Sequence, residues 1–152
     1  MQDDESISVA VLGAGAVGCF FGGMLARAGH PVTLIGRQPH VDAFSTSGLR
    51  FEGLKFDDRI AVKASTKAAA VRGAKLVLFC VKSTDTGAAA AQIAPFLDPA
   101  AVVVNLQNGV DNTERIQEIL QTAQLPCPVV PARMSIRLRD QPISRSASSA
   151  AT

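Results

Sequence analysis

Histidine and cysteine are scarce: two and three in 152 residues. His30 and His40 flank no cysteine or carboxylate at ligand spacing, and Cys19, Cys80 and Cys127 stand far apart without a C-x-x-C pair. Neither a metal site nor a disulfide framework is expected, and an odd number of thiols in a chain with no signal points to a reducing compartment. Charge of one sign is missing too. The 15 lysines and arginines face 13 acids, a formal +2, which gives no broad field for nucleic acid or a membrane surface. Met1-Gln2-Asp3-Asp4-Glu5 is acidic where a secretory or mitochondrial signal would be basic, so the expected location is cytoplasmic.

Charge is absent altogether from Ser6 to Ala26, a run long enough to cross a bilayer. Five glycines interrupt it, its first third is β-branched, and a second β-rich segment follows within a few residues, so a soluble α/β start explains it better than a membrane span. With 47% hydrophobic residues and the length of one domain, the chain can bury a real core.

What the run contains is an order of elements. Ile7, Val9, Val11 and Leu12 make a strand, Gly13-Ala14-Gly15-Ala16-Val17-Gly18 a turn, and Val17, Phe20, Phe21, Met24 and Leu25 follow at helical spacing. A lone G-x-G-x-x-G is a weak signal, but between a strand and a helix it is the dinucleotide-binding fingerprint. The first glycine allows a tight turn, the second lets a pyrophosphate approach, and the third brings helix and sheet together. The helix N-terminus presents free N–H groups and the positive end of its dipole to the phosphates. Cys19 adjoins that N-terminus, which would lower its pKa.

Arg27-Ala28-Gly29-His30-Pro31 carries the signals of a helix end, and Val32-Thr33-Leu34-Ile35 is a second strand, parallel to the first through a right-handed crossover. At the end of such a strand a carboxylate binds the ribose 2′-OH of NAD, whereas an arginine accommodates the 2′-phosphate of NADP. The chain has Gly36-Arg37-Gln38 there and no acid before Asp42, so NADP(H) is the expected cofactor and Arg37 its phosphate ligand, against the alternative of an ordinary solvated arginine.

A short helix from His40 to Ser47 is expected next, then Leu49–Glu52 and Lys55–Val62 as a hairpin or a pair of short extended segments at the edge of the parallel sheet, and a helical turn over Thr66–Val71. Ala74–Val81 is apolar on both faces, as a central parallel strand should be, and ends at Lys82. Ligands collect beyond the carboxyl ends of such strands, so the Lys82 ammonium is placed to meet a cofactor phosphate, a ribose or a substrate carboxylate. As a plain surface lysine it would sit unfavourably at a helix N-terminus. Thr86–Ile93 is an alanine-rich helix, and Ala101–Leu106 a further buried strand running into Gln107-Asn108-Gly109. Asn-Gly often marks a hairpin, but Val110, Ile116, Ile119 and Leu120 have helical spacing, which sets Asn108 at a third strand-to-helix junction. Val129-Val130 is the candidate last strand. The expected fold is α/β: a Rossmann-type doubly wound parallel sheet in three α/β/α layers.

With GAGAVG at Gly13–Gly18, GR at Gly36-Arg37, VKSTDT at Val81–Thr86 and QNG at Gln107–Gly109, in that order, the chain from Ile7 to about Ala132 resembles the N-terminal domain of ketopantoate reductases (2-dehydropantoate 2-reductases). The resemblance implies NADPH-dependent reduction of 2-dehydropantoate to pantoate, the step that feeds pantothenate and coenzyme A synthesis. It further implies that Arg37 meets the 2′-phosphate while Lys82 and Asn108 border the nicotinamide and a 2-oxo acid substrate. Relatives with this pattern reduce other 2-oxo acids as well. A homodimer is compatible with the family, and no nucleic acid or membrane partner is implied.

The family continues into a helical second domain that supplies the catalytic lysine and a substrate-binding glutamate, so no catalytic residue is assigned to this chain. Residues 1–6 are expected to be a flexible N-terminus, 7–132 the dinucleotide-binding domain, and 133–152 disordered. That tail, RMSIRLRDQPISRSASSAAT, has four arginines, one acid and no apolar period, and it is expected to be either an out-of-frame ending or a basic tail for an anionic partner.

Overall fold

Val9-Ala10-Val11-Leu12 forms β1, with a parallel neighbour at each edge and buried on both faces by the helix layers on either side of the sheet. Around it the computed structural model describes residues 6–53, 56–108 and 111–132. After β1 come α1 (Ala16–Arg27), β2 (Val32–Ile35), α2 (Gln38–Ser47), β3 (Leu49–Gly53), β4 (Phe56–Ile60), β5 (Lys63–Ser65), β6 (Leu76–Phe79), α3 (Thr86–Ile93), β7 (Val102–Asn105), α4 (Asn112–Thr122) and β8 (Val129–Pro131). Short 3₁₀ turns cover Ala68–Val71, Ser83–Asp85 and Ala94–Phe96.

Six strands pair in the order β5-β2-β1-β6-β7-β8, every pairing parallel. The chain winds from β1 outward through β2 to β5, returns across the sheet to β6 on the other side of β1, and winds outward again through β7 to β8. Right-handed crossovers in opposite directions put the helices on opposite faces. Strand alternation sorts the side chains accordingly. Val9, Val11, Val32, Leu34 and Leu78 pack under Phe21 and Leu25 of α1 and Phe44 of α2. Ala10, Leu12, Val77, Phe79 and Val103 face Ala90 and Ile93 of α3 and Ile116 and Leu120 of α4. These two apolar layers hold a Rossmann-type α/β fold in three layers, as expected.

One expectation fails in its placement. Leu49–Glu52 and the residues after it do pair as an antiparallel hairpin, but β3 and β4 form a separate two-stranded sheet and do not border the parallel one. The edge is β5, a strand of three residues that sequence patterning left between hairpin and helical turn. β2 has a free side that needs a hydrogen-bonding partner, and Lys63–Ser65 supplies it in register with Thr33–Ile35. The hairpin instead anchors Leu49 in the core beneath α1, where it is buried with Val9 and Val11. Ile7 lies outside β1 and is exposed. Residues 1–5 and the tail from 133 onward fall outside the described residues, as do Gly109 and Val110.

Candidate functional site

The strand order reverses between β1 and β6, and an open α/β sheet has its crevice beyond the carboxyl ends at such a reversal. Each residue singled out in the sequence lies on that rim: Gly13–Gly18 after β1, Arg37 after β2, Lys82 after β6 and Asn108 after β7. Ladder bonds continue past the strand ends and tie the rim down. Gly13 N–H donates to the Ile35 carbonyl (2.9 Å), Cys80 N–H to the Leu12 carbonyl (2.8 Å) and Leu106 N–H to the Phe79 carbonyl (3.0 Å).

The three glycines of the loop differ in what requires them. Gly13 has φ +105°, and a Cβ there would stand 2.8 Å from the carbonyl carbon and oxygen of Cys80. At Gly18 a Cβ would run into the Gly13 carbonyl oxygen, so helix and turn could not close up. Fold alone demands glycine at both. Gly15 is the contrast: its φ is −79°, an ordinary extended value, and a Cβ there would meet no heavy atom within 4 Å. The space in front of Gly15 is open.

Gly15 is also the N-cap of α1, and the first helical bond runs from Cys19 N–H to its carbonyl (2.9 Å). The N–H groups of Ala16, Val17 and Gly18 lie before that bond and have no intrahelical acceptor. No side chain caps them and no acid occupies the first turn. Ala14 is buried beneath the loop, whereas Ala16 and Val17 are exposed. Unpaired donors at a helix N-terminus beside open space form an anion site built from backbone, and the residues present fit a dinucleotide pyrophosphate.

Arg37 is exposed, as N-cap of α2, and its carbonyl accepts from His40 and Val41 while its guanidinium has no hydrogen bond or ion pair among the described residues. Lys82 is likewise exposed, with its carbonyl accepting Asp85 N–H at 2.8 Å. Asn108 uses its carbonyl within the fold and leaves its side-chain amide available. The helix expected from Val110 begins at Asn112.

A cluster that sequence reasoning missed links the last two loops. Gln107 Nε2 donates to the Val81 carbonyl (2.6 Å) and to Thr86 Oγ1 (3.0 Å), and Thr86 Oγ1 donates to the Ser83 carbonyl (2.9 Å). Asn112 Nδ2 donates to the Asn108 carbonyl (3.0 Å) and to Ser83 Oγ (3.1 Å). Gln107 N–H is held by Asn105 Oδ1 (3.0 Å), whose amide donates to Thr113 Oγ1 (3.0 Å). Thr86, Asn105 and Asn112 are the buried polar residues of the described chain. The available signal was a threonine at the start of the alanine-rich α3 and an asparagine at the start of the amphipathic α4, which alone suggests only capping.

All three cysteines are free thiols, Cys127 buried and Cys19 and Cys80 only partly so, and the expectation for Cys19 needs correcting. Cys19 was expected to have a lowered pKa from the helix N-terminus, but burial pushes it up, and its Sγ lies 3.4 Å from the Ala14 carbonyl, where it can only donate. Burial, helped by the neighbouring Cys19, pushes Cys80 up to about 12. Among the described residues no group of His, Cys, Asp or Glu could hold a metal ion, and no helix is long and apolar enough to cross a membrane.

Comparison with known proteins agrees with the fold. A family model described as ketopantoate reductase PanE/ApbA matches residues 9–136. A 2-dehydropantoate 2-reductase of Pyrococcus abyssi is 38% identical over 112 residues, which cover 74% of this chain and 36% of the relative. A glycerol-3-phosphate dehydrogenase [NAD(P)+] of Streptomyces griseus is 36% identical over 128 residues, 79% of this chain and 38% of that protein. Among solved structures, a PanE/ApbA family ketopantoate reductase from Ralstonia eutropha superposes with a TM-score of 0.79 at 50% identity, over 85% of this chain and 42% of that one. The chain thus spans about a third of the length of the curated relatives it matches.

Proposed function

Because the chain belongs to the ketopantoate reductase PanE/ApbA family, we propose that it is the NADP(H)-holding part of an enzyme that reduces 2-dehydropantoate to pantoate. When bound, NADPH supplies the hydride, and the chain's own residues bind and orient. The N–H groups of Ala16, Val17 and Gly18 donate to the pyrophosphate, with Gly13 and Ala14 shaping the turn beneath it. The Arg37 guanidinium pairs with the 2′-phosphate. At the other end of the rim the Lys82 ammonium and the Asn108 amide flank the nicotinamide and the 2-oxo acid, the cation holding the substrate carboxylate. Proton delivery to the forming alkoxide is assigned to no residue of this chain.

One observation carries the reading. Glycine at position 15 answers to no requirement of the protein itself, neither φ nor contact, and the space its missing Cβ leaves borders unpaired helix N–H groups. A ligand phosphate explains that choice. The test is a fluorescence titration of the chain with NADPH and NADH. NADPH should bind more tightly, and Arg37→Glu should abolish the preference; equal affinities in the unaltered chain would refute the 2′-phosphate assignment.

A second reading has its own support. The same stretch matches a glycerol-3-phosphate dehydrogenase at nearly the identity found for a 2-dehydropantoate 2-reductase, so the likeness speaks for a dinucleotide more than for one acceptor. On that reading the chain serves another 2-oxo acid, or binds NADP(H) without turnover. Tight NADPH binding indifferent to added ketopantoate would favour it, and NADPH oxidation driven by ketopantoate at an ordinary enzymatic rate would exclude the binding-only form.

A further inference from the structure

We infer that Thr86 and Asn112 are positioning residues that clamp the Lys82 loop to the Asn108 loop, so that the nicotinamide end of the rim is one rigid unit; the inference deepens the cofactor reading above and rests on it. Lys82 and Asn108 come from different crossovers, and no hydrogen bond joins their side chains in the described residues. Gln107 Nε2 joins the loops directly at the Val81 carbonyl (2.6 Å), and two buried residues tie the rest of the connection down. Thr86 is fully buried and Asn112 is 7% exposed. Asn112, 29 residues along the chain from Ser83, donates from one nitrogen to Ser83 Oγ and to the Asn108 carbonyl.

The orientation of this amide is dictated by its partners. The Asn108 carbonyl can only accept, so Nδ2 must face it, and Asn112 Oδ1 is left toward Thr86. Thr86 Oγ1 in turn receives Gln107 Nε2 from the Asn108 loop while donating to the Ser83 carbonyl in the Lys82 loop. Thr86 and Asn112 thus each hold a carbonyl of their own loop, Ser83 and Asn108 respectively, and at the same time bond across to the other, Thr86 by accepting from Gln107 and Asn112 by donating to Ser83 Oγ. A helix pair needing nothing but burial would be served by apolar side chains here, because each buried polar group costs desolvation unless bonded. Polar residues at the base of two loops whose tips bear the proposed cofactor contacts serve to fix those tips relative to each other, which is what a pre-organised site requires.

The experiment separates the two ends of the cofactor. 2′,5′-ADP carries the adenine half and its 2′-phosphate and reaches the Arg37 end of the rim, whereas NADPH also needs the clamped end. Thr86→Val keeps the shape and removes the hydroxyl, Thr86→Ser restores it, and Asn112→Asp replaces the donor by an acceptor. Thr86→Val and Asn112→Asp should each weaken NADPH roughly tenfold, the scale of one lost buried hydrogen bond, while 2′,5′-ADP stays within about twofold and Thr86→Ser approaches the unaltered chain. Equal losses for both probes, or unchanged NADPH affinity in a folded Thr86→Val chain, overturn the clamp. Amide hydrogen exchange without ligand gives an independent arm. Protection in residues 82–86 and 106–108 should fall together in Thr86→Val, and loosening of one loop alone would count against the clamp. If the unaltered chain binds neither probe, the cofactor reading fails, and the exchange result still decides whether the loops are locked.

Discussion

Replacing Gly15 by serine should raise stability and lower cofactor affinity at once, a pairing that no purely structural role for the position produces. The backbone at Gly15, φ −79° and ψ −170°, is already that of a helix N-cap, and an added Cβ meets nothing within 4 Å. Serine restricts the unfolded chain, worth about 0.4–1 kcal/mol when the native angles suit the new residue. Its hydroxyl can also accept from Val17 or Gly18 N–H, adding a few tenths of a kcal/mol over glycine. A gain of about 1 kcal/mol should move the melting midpoint up by roughly 2–4 °C for a chain of this size. The same hydroxyl takes a donor from the pyrophosphate, and its Cβ stands in the open space. Losing one charge-assisted hydrogen bond, about 1.5–3 kcal/mol, corresponds to roughly 10- to 100-fold weaker NADPH binding. Calorimetric melting and NADPH titration of the two chains decide it. Undiminished affinity would show that phosphate does not lie against Gly15, and a lower melting midpoint would show that the fold itself needs glycine there.

Gly13→Ala should behave oppositely, costing about 1–3 kcal/mol through the left-handed backbone and the Cys80 contact, seen as a lower urea midpoint. Ile116→Ala, removing a fully buried side chain from α4 against the sheet, should cost about 2–5 kcal/mol by the same measurement; a loss below half a kcal/mol would contradict the packing described. Cys80 should resist iodoacetamide at pH 8 in the native chain and react on unfolding, since a thiol pushed up to about 12 holds almost no thiolate; mass spectrometry of the labelled peptide checks this. The Asp98 carboxyl is held below its usual range by Ala100 N–H and then by Lys75, so its small stabilising effect is complete above the ordinary carboxylate range and fades as pH falls through the lowered native value. Asp98→Asn should therefore lower the melting midpoint slightly at pH 7 and leave it unchanged well below that value.

Much of the rim could be read because each of its residues follows a short apolar run, and a parallel strand buried on both faces has no other pattern. Gly13–Gly18, Arg37, Lys82 and Asn108 were all located by where such runs end. The clamp could not be read this way. Thr86 and Asn112 lie at helix starts, where a threonine or asparagine is an ordinary capping residue, and only the folded chain shows that their polar atoms turn inward to partners as distant as 29 residues. β5 escaped for a related reason. Lys63–Ser65 has neither length nor alternation, and its strand character comes from the unpaired edge of β2.

The sequence by itself determined the local sequence of strand, glycine turn and helix, and with it the succession of parallel strands, because those depend on backbone propensity and on burial repeated at fixed spacing. The tertiary structure decided which glycine serves the fold and which leaves room for a ligand, where the hairpin docks, why the Cys19 thiol is raised rather than lowered, and how two loops become one surface. Each of these depends on atoms brought together from distant parts of the chain, and a contact between residues far apart leaves no periodic trace along it.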